Sequence, residues 1–449
     1  MIAKNDILKR LQAAAGKPGK KQIELVYIET RTALSRFAEN VIHQNMDQAD
    51  HRVMARVGLG DRVGLAVGNS IETDAIKSLV KSATEIAENQ GPDASFPGFV
   101  KSAPVIDTPG AFSSATAELS PIGRAMAIKS AVETCKKENL SAAGLFKTEV
   151  KATAVVNSLG TAQYLAETGT EFSLTASDDA ASASGWVTAY NRDVNKLEIP
   201  KLTQTAVRKA VLSRNPQPLP SGEYTVILEP AAVGQLLLML GFLGFSGKSF
   251  AGGRGFMSGK IGEKITGENI TIVEDPFAPE MAGMPFDYEG VPKQRVVLIE
   301  NGVARGVVFD RRYAKMTGKE STGHALPPDN SYGPYPRNMA LAPGTVPFEQ
   351  LIASTDDGIL ITQFWYLNFL NPGRVQVTGT TRDGTFLIKG GVIDKPIKNM
   401  RATPAILDVF ANVEAIAQER VLYPQYSSVM LVPGMKVRKF ALSEETEQG

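Results

Sequence analysis

Few residues of this chain could bind a metal ion or act as a nucleophile. It contains three histidines, His43, His51 and His324, and one cysteine, Cys135. Zinc favours nitrogen or sulfur ligands, and a catalytic zinc ion usually takes three ligands from the protein. Because His324 is far in sequence from the other two histidines, we expect surface or packing roles for all three. Carboxylates are plentiful, so a magnesium or calcium site stays open, although no motif spacing indicates one.

A run of aromatic residues, Phe364-Trp365-Tyr366, is a candidate for ligand binding. With Phe369 it can form an apolar wall for a bound peptide. The same residues fit equally well into a hydrophobic core, because large aromatic side chains dominate both cores and interfaces. The sequence leaves both interpretations open, and we take the three residues as peptide-groove candidates.

The composition is that of a folded globular protein with balanced charge. The 449 residues are 43% hydrophobic and 21% charged, which excludes a disordered or fibrous chain. This length predicts two or three domains. The 48 basic and 47 acidic residues give a net charge of +1. We therefore expect no concentrated basic surface and no binding of nucleic acid.

Three features of the sequence bear on the cellular location. A chain with one cysteine cannot form an intrachain disulfide, which favours a reducing compartment. The residues that follow Met1 lack the apolar core of a signal peptide. The most hydrophobic run, Leu236 to Phe245, has about half the length that a membrane-crossing helix needs. We expect a cytoplasmic protein without a membrane partner.

Periodic patterns predict helices and antiparallel strands in the first half of the chain. Apolar residues alternate on both sides of Gly58-Leu59-Gly60-Asp61, which predicts a β-hairpin with one buried face. Asp6 is the expected cap of a first helix, and Ser120-Pro121 is the expected start of a later one. The apolar stripe of that later helix includes Ile122 and Cys135, so we expect a buried, inert thiol.

A proline-rich segment, from Pro216 to Gly222, is the expected domain boundary. Residues 1–215 are predicted to form an α+β domain with helices on an antiparallel sheet. Residues 222–449 are predicted to form a β-rich C-terminal domain of short strands and turns. We expect two helices there, a buried one from Ala231 to Phe242 and a last one from Thr403 to Ala417.

Separated segments carry a family resemblance. Gly283 to Pro292 and Gly384 to Ile393 resemble the C-terminal domain of the TldD/PmbA family, once called modulators of DNA gyrase. Ala38 to Asn45 resembles the first domain of the same family. The resemblance covers nearly the whole chain, and it implies an N-terminal α+β domain beside a β-rich C-terminal domain that resembles a metallopeptidase.

The resemblance also implies where a zinc site would lie. The TldD-type members are zinc peptidases, in which two histidines of an HExxxH helix and a cysteine near the C-terminus hold the metal. The glutamate of the motif is their general base. In this chain Pro230 and Gln235 stand at the histidine positions, Ala231 stands at the glutamate position, and no cysteine follows Cys135. We therefore expect no catalytic residue at this degenerate motif, and no metal or other cofactor.

The PmbA-type (TldE) members of the family lack the zinc ligands and pair with the active type. The pair is implicated in digesting unfolded peptides and in trimming leader peptides. The resemblance therefore implies a non-catalytic subunit of such a complex, whose partner is a TldD-type zinc peptidase or a second copy of the chain. The alternative is an active peptidase with a non-standard site. A direct role on DNA is disfavoured, because the net charge is near zero and no DNA-binding motif is present.

Overall fold

Each half of the chain builds one β-sheet. The structure, a computed structural model, describes all residues except 1, 18, 102–103, 105–106, 179–182 and 445–449. The helices are α1 Lys4–Ala15, α2 Thr73–Asn89, α3 Ser114–Ala117, α4 Pro121–Lys137, α5 Ile199–Leu212, α6 Pro230–Leu243, α7 Gly247–Ala251, α8 Arg311–Thr317, α9 Phe348–Ala353 and α10 Ile406–Ala411. The strands are β1 Lys21–Ala38, β2 Val41–Leu59, β3 Arg62–Gly68, β4 Ser141–Asn157, β5 Ala162–Ser177, β6 Ser184–Asn191, β7 Gly222–Leu228, β8 Ile272–Glu274, β9 Val296–Glu300, β10 Val303–Ala304, β11 Met339–Leu341, β12 Asp357–Asn371, β13 Gln376–Lys389, β14 Val392–Pro396, β15 Met400–Ala402, β16 Val413–Gln425 and β17 Ser428–Glu444. No helix in the described part of the chain combines the length and the hydrophobicity of a membrane span.

The first sheet is antiparallel, and its strand order is β3-β2-β1-β4-β5-β6. The hairpin predicted at residues 58–61 is confirmed, because β2 ends at Leu59 and β3 begins at Arg62. Gly60 in the turn has a φ of 65°, a conformation that glycine adopts without strain. Helices α1 and α2 pack on one half of a sheet face and α4 and α5 on the other half. The predicted α+β arrangement of this region is confirmed.

The opposite face of the first sheet is covered by the second half of the chain. Side chains alternate between the two faces of a strand, so Val26 on β1 and Val155 on β4 point away from the helices. They pack against a loop of the second half, which contributes Met284, Phe286 and Tyr288. This contact joins the two sheets into one body, and the charged residues described below lie on the same sheet face.

The second sheet is β-rich, as predicted, and within the described residues it has eleven strands. Five of them close into a ring, since β17 pairs with β7 as well as with β15, and β13 and β12 complete the circuit. Helix α6 lies against β17, β12 and β16. The segment between α5 and β7 contains the prolines from Pro216 to Pro220. The division into domains of residues 1–215 and 222–449 stays a prediction.

Two helix predictions are wrong in their bounds. Helix α1 begins at Lys4, so Ala3 occupies its N-cap and Asp6 lies in the first turn. Of the helix expected from Thr403 to Ala417 only α10 is helical, and β16 begins at Val413. The backbone of β16 finds its hydrogen-bond partners in β17. This long-range pairing overrides a local apolar pattern that is compatible with a helix.

The helix predicted at Ser120-Pro121 is confirmed as α4. The Ser120 hydroxyl accepts a hydrogen bond from the Gly123 amide at 3.1 Å, which satisfies one free amide of the first turn. Cys135 is fully buried, as predicted, and this burial raises the pKa of its thiol to about 11. Ile122 was expected on the same stripe but is 72% exposed. The helix instead buries Arg124, two residues further along the chain. The Nε of Arg124 donates a hydrogen bond to Ser35 Oγ.

We predict that Cys135 reacts slowly with a thiol reagent in the native protein and fully after denaturation. A buried thiol with a raised pKa forms little of the reactive thiolate at neutral pH. Absorbance after addition of an aromatic disulfide reagent measures the rate. As a control, Ser130→Cys on the exposed face of α4, combined with Cys135→Ala, should react rapidly. Equal rates for the two thiols would contradict the prediction.

Candidate functional site

The degenerate motif lies in the first two turns of α6. The chain leaves β7 at Leu228 and enters the helix after Glu229, with Pro230 as the first helical residue. Proline fits there because the amides of a first turn have no acceptor within the helix. The helix is buried, as predicted, and four of its apolar side chains are fully buried: Val233, Leu236, Leu237 and Leu240. The helix is therefore held by its apolar contacts and needs no metal for its position.

Gln235, which the family resemblance places at the second histidine position, forms hydrogen bonds with the backbone of β12. Its Oε1 accepts a hydrogen bond from the Phe364 amide at 2.8 Å, and its Nε2 donates to the Phe364 carbonyl at 2.8 Å. Strand β7 pairs with β12 only as far as Ile361. The side chain of Gln235 therefore satisfies backbone groups that a neighbouring strand would otherwise satisfy.

The remaining motif positions offer no metal ligand. Pro230 and Ala231 have no side-chain donor atom. The carboxylate next to them, Glu229, forms an ion pair with Lys209 Nζ at 2.6 Å and accepts a hydrogen bond from Thr362 Oγ1 at 3.4 Å. A zinc ion needs nitrogen, sulfur or carboxylate ligands that converge on one point. The residues present here do not fit a zinc ion.

The histidines lie apart from the motif. His43 and His51 are on β2. His324 is buried in the second half, where its Nε2 lies 3.4 Å from Glu274 Oε1 and its Nδ1 lies 2.9 Å from Thr322 Oγ1. Burial lowers the pKa of His324, which is consistent with a neutral packing role. Among the described residues, no group of three or more histidine, cysteine, aspartate or glutamate side chains is arranged to hold a metal ion.

A cavity of about 1040 Å³ lies between the first sheet and the second half of the chain. Part of its wall comes from α6, through Leu238, Met239 and Phe242. These residues follow Gln235 by three, four and seven positions, so they continue the same face of the helix. The cavity therefore lies directly along the helix face that carries the degenerate motif.

The wall formed by the first sheet is charged because of the strand register. Lys151 on β4 stands opposite Glu167 on β5, and the two side chains are 3.8 Å apart. Arg192 binds Glu167 at 2.8 Å. Burial opposes the ionisation of Glu167, but the charges of Arg192, Lys151 and Arg337 lower its pKa to about 2. The carboxylate is therefore ionised at neutral pH, although it is largely buried.

Tyr288 lies where two cations converge. Its hydroxyl oxygen is 3.0 Å from Lys151 Nζ and 3.3 Å from Arg337 Nη1. Burial opposes ionisation of the phenol, but the positive charges of Lys151 and Arg337 lower its pKa to about 8. The phenol is therefore mostly neutral at pH 7 and becomes negatively charged in mildly basic solution.

Five aromatic rings form what we call the aromatic collar of the cavity. Phe242 stands at its centre, and the distances from its ring to the others are 6.5 Å for Tyr332, 5.1 Å for Tyr335, 6.5 Å for Phe369 and 6.4 Å for Tyr426. Tyr332 and Tyr426 are 70% and 84% exposed. The collar thus lies at the mouth of the cavity, where these two rings are accessible to a ligand, whereas Tyr335 is buried.

The three aromatic candidates of the sequence divide between the core and the surface. Phe364 is buried and its ring stacks on Phe440 with centroids 6.1 Å apart, so the structure places it in the core instead of on a groove. Trp365 is 51% and Tyr366 is 79% exposed. The cavity wall contains neither of them but does contain Phe369 from the same strand. A groove role for Trp365 and Tyr366 stays a prediction.

Sequence reasoning missed the charged part of the cavity. Lys151, Glu167, Arg192 and Arg337 belong to no motif, and they meet only because distant segments come together. Tyr288 was the one available signal, because it lies in the segment from Gly283 to Pro292 that carries the family resemblance. The resemblance marked the segment as important without indicating the contacts of its side chains.

Two family models match the chain. The model described as PmbA/TldA metallopeptidase domain 1 matches residues 23–87. The PmbA/TldA metallopeptidase C-terminal domain matches residues 221–444, which include the motif helix and the aromatic collar. The chain belongs to the PmbA/TldD metallopeptidase family. The resemblance found in the sequence is thereby confirmed.

Individual relatives agree with this assignment. The chain is 25% identical over 390 residues to the metalloprotease PmbA of Escherichia coli O157:H7, which covers 84% of this chain and 83% of that protein. It is 28% identical over 233 residues to a metalloprotease of Methanothermobacter thermautotrophicus, or 49% of each chain. In this match and in two further ones, the chain spans about half the length of the curated relative.

The fold also agrees with that of a solved family member. TldE from Thermococcus kodakarensis superimposes with a TM-score of 0.87 at 22% sequence identity, over 98% of this chain and 100% of that one. At this identity the similarity is evidence for a common fold. It confirms the predicted arrangement of an α+β region followed by a β-rich region.

We predict that Gln235→Ala lowers the free energy of unfolding by about 2–4 kcal/mol, because it leaves the buried amide and carbonyl of Phe364 without partners. Denaturant unfolding followed by circular dichroism measures the change. Gln217→Ala is the matched control, since the side-chain amide of Gln217 is exposed and donates to the nearby Asn215 carbonyl. If both variants unfold at the same denaturant concentration, Gln235 does not have the structural role assigned to it.

Proposed function

We propose that this PmbA/TldD-family chain is a non-catalytic subunit of a TldD/TldE-type metallopeptidase complex acting on unfolded or leader peptides. The observation that carries the proposal is the chemistry of the motif helix. Its three motif positions hold Pro230, Ala231 and Gln235, and both polar atoms of the Gln235 amide are bonded to Phe364. A helix that keeps its packing but has neither ligands nor a general base supports a scaffolding and binding role.

The partner in this proposal is a TldD-type zinc peptidase with an intact HExxxH helix. Relatives of this chain include proteins named metalloprotease TldD homologs from Buchnera aphidicola. Those names describe the relatives, and they support a partner of that type for this chain. A pair of identical chains is the second possibility. The single cysteine supports a cytoplasmic location, since a disulfide-free chain suits a reducing compartment.

The end of β12 offers a surface for the partner. Trp365, Tyr366 and Leu370 are 51%, 79% and 53% exposed, although they are large and apolar. All three lie on the part of β12 that continues beyond its pairing with β7. Clustered exposed apolar residues of this kind are typical of interaction sites. We assign this β12 surface to the contact with the peptidase subunit.

We predict that the purified chain contains less than about 0.1 zinc per chain after dialysis against a weak chelator, since a zinc site needs ligands that the motif lacks. It should cleave no unfolded peptide alone. It should form a stable complex with a homologue from the same genome that carries HExxxH, and only that complex should cleave peptides. Elemental analysis, size-exclusion chromatography and a fluorogenic peptide assay measure the three properties.

A triple variant provides the control for this prediction. Pro230→His, Ala231→Glu and Gln235→His together restore the motif residues, but we expect no activity, because the downstream cysteine ligand is still missing. Chelator-insensitive cleavage by the unmodified chain, free of any homologue, would overturn the proposal. It would support the alternative of an active peptidase with a non-standard site.

We predict that Tyr366→Asp combined with Leu370→Asp weakens the complex with the zinc subunit by at least about tenfold, because charges in an apolar contact are costly to desolvate. Sedimentation velocity at several concentrations measures the affinity. The matched control is Val421→Asp, which alters an exposed apolar residue on β16. If the double variant keeps the complex but loses peptide binding, the β12 surface is a peptide groove instead of a subunit contact.

A further inference from the structure

We propose that the cavity between the two sheets binds the C-terminal end of a peptide. The terminal carboxylate would lie at Lys151 and Arg337, and the last apolar side chain would pack against the aromatic collar. The inference rests on the proposed function only in taking peptides as the class of ligand. It gives the subunit a ligand site of its own, separate from the metal site of the partner.

The charges of the side chains that line the cavity do not sum to zero. Among the described residues, five cations and three carboxylates line it: Lys147, Lys151, Arg192, Lys293, Arg337, Glu149, Glu167 and Glu171. A fourth carboxylate, Glu274, lies 3.8 Å from Lys293. One positive charge therefore remains in excess. Because an unpaired charge in a poorly solvated place is unfavourable, the cavity favours an anionic ligand with a single negative charge.

The excess charge is located at Lys151 and Arg337. Lys147 pairs with Glu171 at 3.1 Å, Arg192 pairs with Glu167 at 2.8 Å, and Lys293 pairs with Glu274. Glu149 lies close enough to Arg192 to raise the pKa of its guanidinium further. Lys151 shares Glu167 with Arg192, at the longer distance of 3.8 Å. Arg337 forms no ion pair among the described residues, and the neutral hydroxyl of Tyr288 is the group that both cations contact.

Arg337 has a nitrogen available for a ligand. Its Nε donates to the Ser427 carbonyl at 2.8 Å, and its Nη1 donates to Tyr288. Within the part of the chain that the structure describes, Nη2 donates to no protein acceptor. The Lys151 ammonium likewise has more protons than its hydrogen bond to Tyr288 uses. A carboxylate can accept from both groups, and such charge-assisted hydrogen bonds are the strong ones.

The rest of the wall suits a peptide better than a fatty acid. The aromatic collar provides an apolar surface for a side chain, but three of its rings carry hydroxyl groups that need polar neighbours. Asparagine amides also line the cavity and can bond to peptide groups: Asn330, Asn338 and Asn368. A cavity of about 1040 Å³ lies at the upper end of the usual range for ligand pockets. It has room for several residues.

Ionisation of Tyr288 should weaken this binding in basic solution. The groups that face its hydroxyl are two cations, a carboxylate and a third cation further away: Lys151, Arg337, Glu167 and Lys293. Above a pH of about 8 the phenol becomes a phenolate, which neutralises the cations and repels a ligand carboxylate. Affinity should therefore be nearly constant between about pH 5 and 7, where the ligand carboxylate is ionised, and fall as the pH rises through about 8.

Peptide binding to the isolated full-length chain tests the proposal. Fluorescence anisotropy would follow an N-terminally labelled hexapeptide that ends in phenylalanine, with either a free or an amidated C-terminus. We predict that the free carboxylate binds at least about tenfold more tightly, as expected for a charge-assisted hydrogen bond. Equal affinities would overturn the proposal. So would equally tight binding of an amidated peptide with an internal glutamate, or displacement by dodecanoate alone and not by unlabelled peptide.

Variants separate the ligand site from general effects on folding. Arg337→Gln should weaken binding by about tenfold, whereas Lys129→Gln, on the exposed face of α4 and outside the cavity, should change it less than about threefold. Tyr288→Phe should bind as tightly as the wild type at pH 7 and should lose the fall in affinity near pH 8. An unfolded variant cannot produce that result. A Tyr288→Phe variant with the pH dependence of the wild type would exclude the assigned role of this cavity.

The experiment uses no partner subunit and no measurement of peptidase activity. Failure of the proposed function, shown by peptide cleavage by the chain alone, would leave the peptide-binding result unaffected. Absence of peptide binding would leave the complex with the zinc subunit equally unaffected. The two proposals can therefore fail separately.

Discussion

The structure depends on covering both faces of the first sheet. Helices bury one face, and the second half of the chain buries the other through Met284, Phe286 and Tyr288. Each large apolar side chain buried in such a contact contributes about 1.5–3 kcal/mol. Strand alternation places Lys151 and Glu167 on the same face as Val155 and Leu165. The contact that joins the two halves therefore has an apolar part and a charged part.

The charged part explains why the two halves leave a cavity between them. Charged side chains cannot pack closely against apolar ones without losing hydration, so they are arranged in pairs around a space. The pairing of β4 with β5 sets Lys147 against Glu171 and Lys151 against Glu167. The second half then adds Arg337 and Tyr288 on the opposite side, and the positive charges become more numerous than the negative ones.

The motif helix shows that a metallopeptidase-like fold does not require metal-binding residues at this position. Helix α6 is apolar on nearly all sides, and its contacts with β17 and β12 position it. Gln235 adds two hydrogen bonds to the backbone of β12, while Glu229 and Lys209 connect the start of α6 to α5. Polar side chains at the motif thus stabilise the contacts between elements, and this same helix supplies Phe242 to the aromatic collar.

Local patterns in the sequence were sufficient for several features. Ser120 as a cap, the turn at Gly60 and the buried Cys135 depend on neighbouring residues, and their physical causes act over a few positions. The family could also be predicted, because separated segments carry its residue types at a known spacing. That zinc ligands are missing at Pro230, Ala231 and Gln235 is what the resemblance implies.

Only the tertiary structure decided which residues form the cavity. Lys151 and Tyr288 are 137 residues apart in the chain, and Lys151 has the same sequence pattern as a charged residue on a solvent-exposed strand face. Phe364 and Trp365 are adjacent and similar in type, yet one is in the core and the other on the surface, because strand alternation and the position of Phe440 separate them. Residues 413–417 are a further example. Their apolar pattern also fits a helix, but they form a strand because they pair with β17. In each case the outcome depends on a partner from a distant segment, which no local pattern of residues specifies.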